Sequence, residues 1–151
     1  MVDFSRETLE VVKQNTRLID QHWDEVVIDK RRGQKASPAW DYLADLEKKD
    51  SLVTFIAREN GIVIGYSIFI LHQYVHNKDL ILASNDAVFL QKDKRPSGAG
   101  WRFLKYCDEE LEKSGVGIIL WHVKPEVDFS GTLKKLGYAL NEVTYMKVTG
   151  G

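Results

Sequence analysis

The stretch that most constrains the fold is LVTFIARENGIVIGYSIFILHQYV, residues 52–75. Two runs rich in β-branched and aromatic residues flank Asn60-Gly61. Such residues favour extended backbone. Asn-Gly supplies the two positive-φ positions of a type I′ turn, whose twist suits antiparallel strands. The chain is therefore expected to hold a long hairpin. Gly65, inside the second strand, marks a bulge or a close packing contact. A second turn at HNKD, residues 76–79, leads into LILASNDAVFL, a third strand expected to be irregular at Ser84-Asn85-Asp86.

Elsewhere helical periodicity dominates. Leu9, Val12, Thr16, Ile19, Trp23 and Val26 recur at three- and four-residue steps, predicting one amphipathic helix over 5–27 with Ser5 as its N-cap. A basic loop, DKRRGQKASP, ends at Pro38, which opens a second helix over 38–49 with Tyr42, Leu43 and Leu46 inward. Phe103, Leu104, Cys107 and Leu111 share one face of a helix over 99–114 that closes at Gly115. VGIILWHV reads as a central strand covered on both faces. A short helix over 128–136 ends at Gly137, and YALNEVTYMKV forms a final strand. The order predicts one α+β domain over 1–151, with a mixed, mainly antiparallel central sheet and helices on both faces.

Composition narrows the function. With 21 basic and 22 acidic residues the net charge is -1, which argues against general nucleic-acid binding. The single cysteine, Cys107, excludes an intrachain disulfide and a cysteine-rich metal site, and fits a reducing, cytoplasmic setting. Its place on an apolar helix face makes it a core residue rather than a nucleophile. The four histidines show no metal-ligand spacing, so no metal is expected. The start MVDFSRETLE lacks the layout of a signal peptide, and the apolar runs fall short of the ~20 residues of a membrane helix. A soluble protein is expected.

The segment RPSGAG, residues 95–100, stands between the third strand and a helix. A helix start offers unpaired amides and a positive dipole end, glycines let backbone approach an anion, and Arg95 adds charge. A phosphate-binding loop is one reading; a turn that merely needs its glycines is the other. RPSGAG matches the pattern [Arg/Gln]-x-x-Gly-x-[Gly/Ala]. In this order of elements it resembles the acetyl-CoA-binding motif of the GCN5-related N-acetyltransferase (GNAT) superfamily. LKKLGYALNEVTYMKV resembles that family's last helix and strand. The likeness spans about residues 51–148, and YVHNKD with the Asp86-to-Phe89 strand is similar to small phage and prophage members.

The resemblance implies acetyl-CoA as cosubstrate and acetyl transfer to a primary amine by direct attack in a ternary complex. It places the pyrophosphate on Arg95, Pro96, Ser97, Gly98, Ala99, Gly100 and Trp101, with amides from about Lys94 to Gly100 donating, Pro96 excepted. It sets Val88, Phe89 and Leu90 beside the pantetheine arm. The sequence departs from the family at Lys92, often proline, at Pro96, often glycine, and at Leu133, where a tyrosine usually protonates the thiolate. The usual asparagine-containing approach to the last helix is also replaced by KPEVDFSG.

Asp86 is the first candidate for general base, directly or through water; an irregular turn in which it bonds its own backbone is the alternative. His122, at a strand end, suits proton transfer near neutrality or simply meets solvent. Tyr138 and Tyr145 are candidate substitutes for the missing tyrosine. His72 and His76 are weaker candidates for the acceptor side. A small molecule, a peptide N-terminus or a lysine remains open as acceptor. Two further readings stand: an inactive acyl-CoA-binding or partner-binding protein, and a structural protein without CoA. A homodimer paired through the last strand is left open.

Overall fold

The computed structural model describes residues 1–26 and 36–149. In chain order these form β1 (Val2–Glu7), α1 (Leu9–Gln14), α2 (Thr16–Val26), α3 (Trp40–Lys48), β2 (Leu52–Glu59), β3 (Ile62–Gln73), β4 (Ile81–Leu90), a 3-10 turn (Lys92–Ser97), α4 (Ala99–Lys113), β5 (Ile118–Leu120) and α5 (Ser130–Lys135). The sheet runs β1-β2-β3-β4-β5; its first three junctions are antiparallel and the last is parallel.

The hairpin forms as expected, with Asn60 at φ 51° and Gly61 at φ 83°. Gly65 is the close contact: a Cβ there would lie 2.5 Å from the Phe89 carbonyl oxygen on β4. The register also slips beside it, between Ala57 and Arg58 on β2.

Helices cover both faces. On one, Phe103, Cys107 and Leu111 of α4 pack against Val53, Phe55, Phe69 and Ala83. On the other, Leu9, Val12, Leu18 and Leu43 of α1–α3 pack against Leu52, Ile56, Tyr66 and Ile68. Each such burial contributes about 1.5–3 kcal/mol. Burial also pushes the Cys107 thiol pKa upward, so it stays an inert core group.

The N-terminal expectation is corrected. Residues 2–7 are a strand, not a helix start: Ser5 pairs with Ile56, and its hydroxyl donates to Glu7 at 2.6 Å. Phe4 stacks on Phe103 at 5.3 Å, so pairing with β2 and packing on α4 override the local cap signal. Thr8 is the N-cap of α1. Asn15 separates α1 from α2, its side-chain amide donating to Val11 O at 2.6 Å, so one expected helix is two. Thr16 is exposed, while Leu18 supplies the buried contact. The basic loop, apart from residues 36–38, and the packing of Val26 lie outside the described residues. In α3 Leu43 and Leu46 face inward, but Tyr42 is 61% exposed.

The C-terminal third is corrected as well. β5 is short, half-buried and at the sheet edge rather than central. No strand follows α5 among the described residues: Leu140 is 84% and Tyr145 93% exposed. An apolar pattern becomes a strand only when a neighbour accepts its backbone hydrogen bonds, and this segment has no sheet partner within the chain's described residues. No described helix is long and apolar enough to cross a membrane.

Candidate active site

The irregularity expected near Asp86 is a β-bulge. Ile68 of β3 faces Ala87, and Phe69 faces Asn85, so Asp86 is the extra residue of β4. Asn85 turns inward, 3% exposed. Its amide nitrogen donates to Ser67 Oγ at 3.1 Å, Ile68 O at 3.2 Å and Ala87 O at 3.2 Å, which fixes the bulge.

β4 and β5 then part. They pair only from Leu82 to Ser84 with Ile118–Leu120. A cavity of 280 Å³ opens beyond, with residues 84–89 of β4 on one side and His122, Lys124, Val127 and Phe129 on the other. His22 and Glu25 of α2, with Arg95, also line it. A second cavity, of 660 Å³, lies between α1–α3 and the sheet, and Asp86, Ala87 and His22 line both.

At the end of β4 the 3-10 turn brings the chain to Gly98, at φ 80°, and α4 begins. The first-turn amides of this 15-residue helix have no acceptor within it. A Cβ at Gly100 would meet only Leu90 Cδ2, at 3.9 Å, so the helix start is open on that side. Lys94 ties the turn to the sheet through Glu59 at 2.6 Å.

In sequence, no family model and no curated protein matches this chain. Solved structures do match. A ribosomal-protein-alanine N-acetyltransferase from Brucella melitensis biovar Abortus 2308 superposes with TM-score 0.76 at 16% identity, covering 100% of this chain and 99% of that one. An aminoglycoside acetyltransferase from an uncultured soil metagenomic sample gives 0.74 at 12%, covering 99% and 97%. AAC(6')-Iy, bound to a CoA bisubstrate analogue, gives 0.69 at 19%, covering 100% and 99%. The fold is that of the GNAT superfamily.

Within this GNAT fold, several expected site residues converge. Asp86, Val88, Phe89, Arg95 and His122 line the 280 Å³ cavity. Ser84 Oγ lies 2.8 Å from His122 Nε2. Burial raises the Asp86 pKa above the ordinary aspartate value, and the electrostatic influence of His122 nearby offsets part of that rise. Leu90 is buried, and its carbonyl accepts from Arg95 Nε at 2.8 Å.

Other expectations change. The Arg95 guanidinium reaches back to α2, donating to both Glu25 carboxylate oxygens at 2.8 and 2.7 Å, and it lies 5.6 Å from the Phe89 ring centre. A carboxylate thus holds the charge expected to face phosphate. The Lys94 amide donates to Gln91 O at 2.9 Å, because residues 92–97 coil into a 3-10 turn. Donors for an anion therefore shift toward Ala99, Gly100 and Trp101. Pro96 and Ser97 sit exposed on the turn, with Ser97 Oγ donating to Lys94 O at 2.7 Å.

Tyr145 lines neither cavity, because the segment that carries it leaves the sheet. The Tyr138 hydroxyl donates to Asp108 of α4 and lines neither cavity. Leu133 is buried. His72 Nδ1 lies 3.1 Å from the carbonyl of Gln73, and His76 packs on Tyr74; neither lines either of these two cavities.

Sequence reading missed His22, Glu25 and Ser84. His22 stacks on Phe89 at 5.1 Å, with Nδ1 2.6 Å from the Tyr66 hydroxyl. Burial lowers its pKa to about 4, so it is neutral at pH 7. The only local signal for His22 and Glu25 was their three-residue spacing on one helix. Among the described residues, no three His, Cys, Asp or Glu side chains gather as a metal site.

Proposed function

We propose that this protein is an N-acetyltransferase that moves an acetyl group from acetyl-CoA to a primary amine bound in the same complex. The observation that carries the proposal is the position of Asp86, the bulged residue of β4, on both cavities. In this reading the cavity between β4 and β5 takes the pantetheine arm and thioester. The larger cavity takes the amine. The first-turn amides of α4 receive the pyrophosphate, which suits the positive end of a helix dipole. The GNAT fold supports this assignment.

The chemistry follows from the side chains. Asp86, its pKa raised by burial, removes a proton from the amine, directly or through one water. The freed lone pair attacks the thioester carbonyl, forming the C–N bond. The β4 backbone near Phe89 donates to the resulting oxyanion. Collapse breaks the C–S bond, and the sulfur leaves with the electron pair. His122, held by Ser84 in the same cavity, takes the second proton from the nitrogen and passes it to the sulfur, in place of the family's tyrosine.

The test is release of CoA thiol across a panel of amines, with Asp86→Asn beside the unaltered protein. Loss of a general base removes about 10²–10⁴ of the rate. The expected variant binds acetyl-CoA as before and turns over at least a hundredfold more slowly. A protein that binds acetyl-CoA and acetylates no amine would leave the inactive-binder reading in its place.

A further inference from the structure

We infer that the acceptor is a primary amine carried on a bulky apolar or aromatic body, with no second positive charge. This rests on the N-acetyltransferase reading above and adds the acceptor's chemical class. The 660 Å³ cavity is the size of an ordinary small-molecule site, for which about 300–1,000 Å³ is typical. Trp23, Trp40, Tyr66, Ile19, Ile68 and Pro38 form much of its wall. Among its described lining residues Asp86 is the one carboxylate, and no lysine or arginine joins it. His22, the other basic or acidic group there, is neutral and sits within hydrogen-bond distance of the Tyr66 hydroxyl.

Charge complementarity sets the class. One carboxylate, where the two cavities meet, balances one ammonium and holds it beside the thioester. A second cation would press into the indole, proline and aliphatic side chains of the described wall and lose its hydration there without a carboxylate partner. A ring face attracts a cation, but by less than that lost hydration. An aromatic or branched aliphatic body instead gains by leaving water. A polyamine or an aminoglycoside is therefore a poor fit. Two sources share the favoured chemistry: a free arylalkylamine, and a peptide whose first residue is bulky and apolar.

The experiment measures kcat and KM by CoA release at saturating acetyl-CoA. Its arms are tryptamine and phenethylamine, a Trp-initiated and a Phe-initiated tripeptide amide, and spermidine with kanamycin as polycations. Acetyl-CoA binding is measured separately by calorimetry. The expected result is kcat/KM at least tenfold higher for an aromatic arm than for either polycation. The better aromatic arm identifies the source. Trp40→Ala should raise KM for that amine at least tenfold with the acetyl-CoA Kd unchanged. Trp40→Phe should retain most of the affinity, which separates a lost wall from a lost fold. Preference for a polycation, or a Trp40→Ala variant with unchanged KM, overturns the inference and leaves the acetyltransferase reading intact. Acetyl-CoA bound with no aromatic arm acetylated overturns it as well. Failure of acetyl-CoA to bind overturns both.

Discussion

Gly65→Ala is the most informative single-atom perturbation of this fold. Gly65 of β3 pairs with Leu90 of β4, one step from the Tyr66–Phe89 pair. An added Cβ would stand 2.5 Å from the Phe89 carbonyl oxygen, 3.0 Å from Leu90 Cδ1 and 3.1 Å from Leu90 Cα. Two of these atoms are backbone, so no rotamer change relieves the clash. Carbon–oxygen contacts between strands ordinarily lie near 3.3–3.6 Å, so β3 and β4 must separate by roughly an ångström. Overpacking of this kind costs about 1–3 kcal/mol, and reduced chain entropy in the unfolded state returns about 0.4–1 kcal/mol. The net loss, about 1–2 kcal/mol, lowers Tm by roughly 2–8 °C for a chain of this size. The displaced strand carries Phe89, which lines the cleft under Arg95, so acetyl-CoA affinity should fall several-fold. Thermal unfolding and calorimetry on the same preparations read both. An unchanged Tm with unchanged affinity would refute the close approach of the two strands and its link to the cleft.

Three other expectations follow from the site and the tail. Because the folded-state pKa of Asp86 is raised, the wild type loses stability as pH rises from the ordinary aspartate value through the raised one. Asp86→Asn should therefore melt higher at pH 7 and lose that advantage in acid; an advantage that persists below the ordinary value would contradict the cause given. Glu25 is held below the usual carboxylate range by hydrogen bonds from Arg95. The stabilisation is present above its unfolded pKa and lost as pH falls through the folded one. Glu25→Gln should cost about 1 kcal/mol at pH 7, after screening of this partly exposed pair, while freeing Arg95 to tighten acetyl-CoA binding several-fold in calorimetry. Finally, Leu140, Val143, Tyr145 and Met146 are exposed on a segment that has no sheet partner among the described residues, and β5 is an edge strand of the described sheet. Sedimentation should show self-association that weakens with Val143→Lys and Tyr145→Lys; a concentration-independent monomer would remove the pairing.

What was legible in the sequence was local. Asn60-Gly61, Gly98 and the apolar face of α4 each carry their own instruction in turn chemistry or helical period. Asp86 was legible because Ser-Asn-Asp interrupts an apolar strand, and a bulge is what such an interruption becomes when Asn85 is pulled inward. β1 was missed because Ser5 mimics a cap, whereas Val2 and Phe4 are held by a strand some fifty positions later. Arg95 and Glu25 meet across a separation of 70 residues, and nothing local announces that a carboxylate occupies the guanidinium. The tail shows the reverse error: its apolar alternation reads as a strand, but strand formation is decided by a neighbour.

The measurement that bears most directly on the proposed function is thermal unfolding with and without acetyl-CoA, beside Gly100→Glu. A Cβ at Gly100 has room in the fold, so the variant should keep its own Tm while a carboxylate blocks the anion site at the start of α4. At about 100 times its Kd, acetyl-CoA should stabilise the wild type by about 2.7 kcal/mol, a rise of roughly 5–11 °C. The predicted result is that rise in the wild type and its loss in Gly100→Glu. No rise at millimolar acetyl-CoA, or an equal rise in both proteins, would contradict phosphate binding at this helix start.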